Sequence, residues 1–372
     1  MEPRVTRLAR TLFIAALAGC GADPPAAPPD ASPVDRPDAA PAPDRAAPDA
    51  PSLDAPAPDA SAPDAPSLDL APPPADLPAP PPDAPVDVAA PVDVDARNIP
   101  AAAALYTADR TRFGIRDVAG ALARALAAPG ADNVILYVHG RGCGGGGEPN
   151  KSLTEAMPAL ARDYTAAPIL LFWPGSDDAC PLGFPESRAR EAGPALAAVL
   201  GDLHRELATR PRPGVRFTLL THSMGSLVLE AATAVPGVGG LPPTLFATAV
   251  VNAGASAAPD HAAWLARVTF AGAVFSTVND RDLVLTAAGL GRATRLGKSL
   301  AGARLAAGRA YVDFTANGVN HAYYIPSGQS GAAMTAFYQR VMNGLPYDFA
   351  ASSGVAGSDV RDGAVVHRFN GR

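Results

Sequence analysis

The chain is poor in the residues that most sharply define other protein classes. It has three cysteines in 372 residues. No set of His, Cys, Asp or Glu falls at metal-ligand spacing, so no metal centre is expected. No cofactor fingerprint is present. The glycine run at residues 142–147 precedes Lys151-Ser152, but Asn150 stands where a phosphate-binding loop needs Gly directly before Lys. Flexible backbone is the better use for that run. Lys and Arg form no cluster, which argues against nucleic acid as a partner. Residues 12–18 are apolar but too few to span a bilayer. Residues 21–98 contain no aromatic residue at all, so that stretch cannot build a core.

What fills residues 21–98 is Pro, Ala and Asp in loose repeats. Ala-Pro-Asp-Ala-Pro-Ser-Leu-Asp stands at 47–54 and again at 62–69. Pro withholds an amide donor and favours extended polyproline II. Fifteen Asp against three Arg give this stretch a net charge of −12, and self-repulsion extends it further. The expectation is a disordered stalk. With the stalk and the first twenty residues set apart, the total of −6 becomes about +4 for residues 99–372. Those 274 residues suit one domain at 99–350, with a polar C-terminal tail at 351–372.

Residues 1–20 read as an export signal, with Arg4, Arg7 and Arg10 ahead of the short apolar run. Leu17-Ala18-Gly19-Cys20 resembles the bacterial lipobox, which implies cleavage before Cys20 and acylation of its thiol. The acyl chains would anchor the protein at a bilayer surface without a spanning helix. Gly21 after the cysteine leans toward the outer rather than the inner membrane. An oxidising compartment would favour a bridge between Cys143 and Cys180 if they are close. Two unrelated buried thiols are the alternative.

From residue 105 onward, apolar β-type runs alternate with helical stretches. The runs are 105–108, 134–138, 169–173, 215–220, 248–251, 274–278 and 311–314, and the helical stretches include 118–128, 186–208 and 332–342. Continuous apolar runs such as Val134-Ile135-Leu136-Tyr137-Val138 suit strands buried on both faces. The pattern predicts an α/β fold: a mostly parallel central sheet with helices on both faces. In such sheets reactive groups gather beyond the carboxyl ends of the strands. His139, Asp177, Ser223, Asn252, Asp280, Asp282 and His321 all follow strand-like runs.

One joint organises the rest. Thr221-His222-Ser223-Met224-Gly225 stands between an apolar strand and a helix. It matches the small-x-Ser-x-Gly nucleophile elbow, with Thr in place of the first Gly. A sharp strand-to-helix turn would strain Ser223, lift its hydroxyl above the sheet edge and aim the Met224 N–H at a developing oxyanion. Acyl transfer then needs a base and an orienting carboxylate. Among six histidines, His139 suits a turn, His204 lies within a helix, and His222 adjoins the serine with its ring expected to project away. His261 lies near a helix start and His367 in the polar tail, which leaves His321 on a loop after the last strand. For the acid, Asp280 and Asp282 compete. Met224 N–H and Arg141 N–H are the candidate oxyanion donors.

With Val-His-Gly at 138–140, Phe-Trp-Pro at 172–174, Ser187-Arg188-Ala189 and His-Ser-Met-Gly at 222–225, the chain resembles bacterial α/β-hydrolases of an esterase-like branch over about residues 104–345. It departs from them at Arg141-Gly142-Cys143 and in the glycine run. The resemblance implies the order Ser223, Asp282, His321, with Asp282 favoured over Asp280 because Leu283-Val284 follows it. It implies a serine hydrolase of a carboxylic ester or thioester, taking a small-molecule ester or acyl substrate and needing no cofactor. A non-catalytic surface module and an acyltransferase are the alternatives. Oligomeric state is not readable from the sequence.

Overall fold

A computed structural model describes residues 92–128, 130–141, 151–175, 185–326 and 330–371. The expected export signal with Cys20, the stretch to residue 91, and Cys143, Asp177 and Cys180 lie outside the described residues.

Ten strands form one sheet among the described residues. They are β1 (Ala104–Thr107), β2 (Arg112–Gly114), β3 (Asn133–Val138), β4 (Ala167–Phe172), β5 (Arg216–His222), β6 (Phe246–Asn252), β7 (Ala271–Val278), β8 (Ala310–Asp313), β9 (Val355–Arg361) and β10 (Ala364–Phe369). Their order is β2-β1-β4-β3-β5-β6-β7-β8-β10-β9. Strands β4 through β10 in that order run parallel, and β1, β2 and β9 pair antiparallel at the two edges. This is the mostly parallel α/β sheet that the alternating pattern predicts.

Every residue of β3 and β4 is buried, as a central strand covered on both faces requires. Right-handed crossovers send the helix between β3 and β4 to one face and the helices of the later crossovers to the other. The helix Ala332–Met342, which follows β8, joins the first face: its Gln339 Nε2 donates to Asp163 O, on the helix Met157–Tyr164, at 2.5 Å. On the opposite face, a Cβ at Gly193 would lie 2.5 Å from Ala231 Cβ, so the absence of a side chain lets two helices touch. Crossovers leave β3 and β5 in opposite directions, which opens a crevice at their carboxyl ends.

Three expectations are corrected. The helical stretch 186–208 is two helices, Glu186–Glu191 and Gly193–Thr209. Pro194 cannot donate an amide to the preceding turn, so the first helix ends and the second begins there. The tail at 351–372 is largely a hairpin that extends the sheet. Asp362 (φ 54°) and Gly363 (φ 77°) form its two-residue turn, and Phe369 packs on Phe314 with ring centroids 4.9 Å apart. His367 is therefore on a strand, stacked on Phe349 at 3.5 Å. At the other end, Val92 and Val94 are buried, so the stalk ends before residue 98. Valines alternating with Asp93 and Asp95 place one apolar face against the domain.

Candidate active site

The crevice between β3 and β5 holds the serine joint. Ser223 follows β5 with φ 52°, in the left-handed region that L-residues avoid. Holding a serine there costs about 1–3 kcal/mol and needs a surround that fixes it. The fixing bonds are present. Ser223 N–H donates to Asn252 O at 3.0 Å, and Ser223 O accepts from Ser226 N at 3.1 Å and Ala255 N at 3.0 Å. Met224 is already helical (φ −65°, ψ −15°), and the helix Gly225–Ala232 starts at once. Its N-terminal amides and dipole therefore begin beside the hydroxyl-bearing residue.

Two glycines allow this packing. A Cβ at Gly225 would collide with the Val138 carbonyl oxygen. One at Gly140 would lie 2.9 Å from Ser223 Cβ and 3.1 Å from His222 O. The end of β3 and the joint after β5 thus touch backbone to backbone. Gly140→Ala is expected to displace the joint. Activity should fall at least tenfold and the melting temperature by several degrees, as overpacking typically costs about 1–3 kcal/mol. An ester assay and a thermal melt check both.

The carboxylate comes from the turn after β7. Asp282 is 1 % exposed. Its Oδ1 accepts the Leu285 amide at 2.9 Å, capping the helix Leu283–Ala288. Its Oδ2 accepts from His321 Nδ1 at 2.7 Å. A carboxylate can only accept, so Nδ1 carries the proton of this bond, and a neutral ring in this tautomer has its lone pair on Nε2. Asp280 does none of this. Its side chain is 68 % exposed and pairs with Lys298 Nζ at 3.0 Å.

His321 lies 8 % exposed on the loop after β8. Tyr323 and Tyr324, two and three residues on, fasten it. Tyr323 OH lies 3.2 Å from Thr277 Oγ1. Tyr324 OH and Tyr137 OH are 2.8 Å apart, and Tyr164 OH donates to Tyr324 O. The His222 ring, which the sequence expects to project away from Ser223, lies 4.8 Å from the His321 ring and 4.9 Å from Tyr324. Burial, and then the proximity of His321, hold the His222 imidazole well below its ordinary value, so it stays neutral. It packs against the base without competing for a proton.

His139 is a brace between strands. Its ring stacks on Phe172 and Trp173, with centroids at 5.5 and 5.2 Å. Nδ1–H donates to Gly140 O at 2.6 Å, and Nε2 accepts from Trp173 N at 3.2 Å. Burial lowers its pKa to about 4. Between about pH 6.5, the ordinary histidine value, and pH 4, the unfolded chain takes up a proton that the folded chain refuses. The stabilisation from keeping this ring neutral is therefore complete above pH 6.5 and is lost as pH falls toward 4. The loss should be about 3 kcal/mol. Urea melts at pH 7.5 and 4.5 should show it, with a smaller loss in His139→Gln.

His261 binds Ala258 O and Tyr311 OH, and His204 sits within the helix Gly193–Thr209. Sequence reasoning missed Asn279, which is fully buried at the end of β7 beside the acid turn. Among the described residues, no group of three or more His, Cys, Asp or Glu could hold a metal ion. No helix among them is long and apolar enough to cross a membrane.

No protein-family model matches the chain, and no curated protein matches it. Solved structures do. Carboxyl esterase 2 from the mycorrhizal fungus Tuber melanosporum matches at 15% identity and a TM-score of 0.32, over 56% of this chain and 76% of that one. An esterase from Pyrobaculum calidifontis matches at 15% identity and 0.29, over 57% and 76%. A bacterial heroin esterase matches at 12% identity and 0.34, over 59% and 77%.

Proposed function

We propose that this chain is a serine hydrolase that cleaves a carboxylic ester or thioester through an acyl-enzyme. The observation that carries the reading is the 2.7 Å bond from His321 Nδ1 to the buried Asp282, with the His321 ring 4.8 Å from that of His222, the residue before the strained Ser223. Ser223 Oγ attacks the substrate carbonyl carbon as its proton passes to His321 Nε2. The carbonyl π electrons move to oxygen, where Met224 N–H and Arg141 N–H receive the charge. Collapse expels the alkoxide or thiolate, which takes the proton from His321. Water then attacks the acyl-enzyme and gives its proton to His321; collapse breaks the bond to Ser223 Oγ, which takes that proton back as the acid product leaves. Asp282 stays ionised, holds the imidazole in the useful tautomer and stabilises its cation.

The Arg141 side chain is half-buried, and burial lowers its pKa. A guanidinium at the rim suits a substrate with an acidic or carbonyl group near the scissile bond. The reading extends to placement: Cys20 acylated, the acidic stalk extended, and the domain held away from a bacterial membrane, the outer more than the inner. Cys20→Ser should release the protein from the membrane fraction without loss of esterase activity.

The test of the chemistry is a pre-steady-state assay with p-nitrophenyl acetate. An initial burst equal to the enzyme concentration supports an acyl-enzyme. His321→Ala should abolish both the burst and turnover. A folded protein that turns over no ester in a short-to-long acyl series would favour a non-catalytic module. Acyl transfer to an added alcohol in place of water would favour a transferase.

A further inference from the structure

The hydrogen bond between Asp282 and His321 joins two loops that leave different strands, β7 and β8. Something must hold those loops in register, because a carboxylate and an imidazole on independent loops would not stay at 2.7 Å. Asn279 is the side chain placed to do so. It is fully buried. Its Nδ2 donates to Val319 O at 2.8 Å, two residues before His321. Its Oδ1 accepts the Arg281 amide at 2.9 Å, one residue before Asp282. Its own amide donates to Gly297 O at 2.8 Å, fixing the turn to a third segment.

Resting on the reading above, we infer that Asn279 is a positioning residue, which fixes the separation of the acid and base by binding one loop with each end of its amide. The geometry demands an amide. Donor and acceptor must sit on one short side chain, the donor toward Val319 O and the acceptor toward the Arg281 amide. Leucine has the volume without the bonds, and aspartate can only accept. The other side-chain link between these loops, from Asp280 N–H to Thr315 Oγ1 at 2.8 Å, is exposed and open to competition from water. The buried amide has no such competitor.

The proposal predicts a loss in the chemical step and not in binding. In Asn279→Ala, kcat for p-nitrophenyl acetate should fall about 10²-fold, as expected when a catalytic pair shifts by about 1 Å. KM should stay within about threefold. Asn279→Asp keeps the acceptor for Arg281 but sets oxygen against Val319 O, so it should fall at least as far, and it serves if the alanine variant does not fold. Val250→Ala, in the core of β6, is the control matched for loss of melting temperature, and it should keep kcat within about threefold. A folded Asn279 variant with kcat near that of the parent overturns the inference while the hydrolase reading stands. So does a control that loses as much kcat as Asn279→Ala. If the parent chain itself turns over no ester and forms no acyl-enzyme, the hydrolase reading has failed and takes this inference with it.

Discussion

Replacing Ser223 with alanine is expected to lower kcat/KM for p-nitrophenyl acetate by roughly 10⁵–10⁶-fold, to the level set by binding and any oxyanion stabilisation alone. The substitution removes the bond-forming atom and little else. Ser223 reaches its left-handed backbone under the hold of Asn252 O, Ser226 N and Ala255 N, and all three are main-chain bonds that alanine keeps. Alanine in that conformation carries the same backbone strain, so the melting temperature should change by no more than a few degrees. A large activity loss with an unchanged melt separates chemistry from folding. A residual activity above about a tenth of the parent's would mean that another group performs the attack.

Asp282→Asn should cost about 10⁴-fold in kcat/KM, and Asp280→Asn less than about threefold. The two residues lie on one turn and differ in what they touch. Asp282 Oδ2 receives the His321 proton at 2.7 Å. An amide there presents either a neutral oxygen or a donor, so it loses the charge that stabilises the imidazolium or favours the wrong tautomer. Asp282 Oδ1 also caps the following helix through Leu285 N. Asparagine caps about as well as aspartate, so this variant should stay folded while activity collapses. Alanine would confound the two roles, since losing the cap alone costs about 1 kcal/mol. Asp280 forms an exposed pair with Lys298, and such pairs contribute about 0–1 kcal/mol. Equal losses at both positions would show that the turn as a whole matters, and a larger loss at Asp280 would move the acid there.

The fold was legible where burial is uniform. Strands β3 and β4 are nearly continuous apolar runs, as suits central strands covered on both faces. The edge hairpin was less legible because Val355–Arg361 carries Gly357, Ser358 and Asp359 and is mostly exposed. Its signal was Asp362-Gly363, a dipeptide suited to a two-residue hairpin turn, ahead of the β-branched Val365-Val366. The break at Gly193-Pro194 was also written in the chain, as a proline that cannot continue the preceding turn.

At the site, the serine joint was visible because a strained turn constrains several neighbouring residues at once. Asp282 and Asp280 could have been separated without the resemblance, since only Asp282 stands three residues before a buried helical Leu285 in a capping position. Asn279 had no such mark. Its partner Val319 is a backbone carbonyl forty residues on, and any residue type presents that carbonyl. The neighbours of the His222 ring carry no sequence mark for a related reason. Its direction depends on Tyr324 and His321 packing over it, which is a tertiary fact.

The most direct measurement is intact-mass and peptide mass spectrometry of the chain after reaction with a fluorophosphonate. The account predicts one adduct per molecule, on the peptide that carries Ser223, formed far more slowly in His321→Ala. Folded protein that takes no label, or takes it on a different residue, would contradict it.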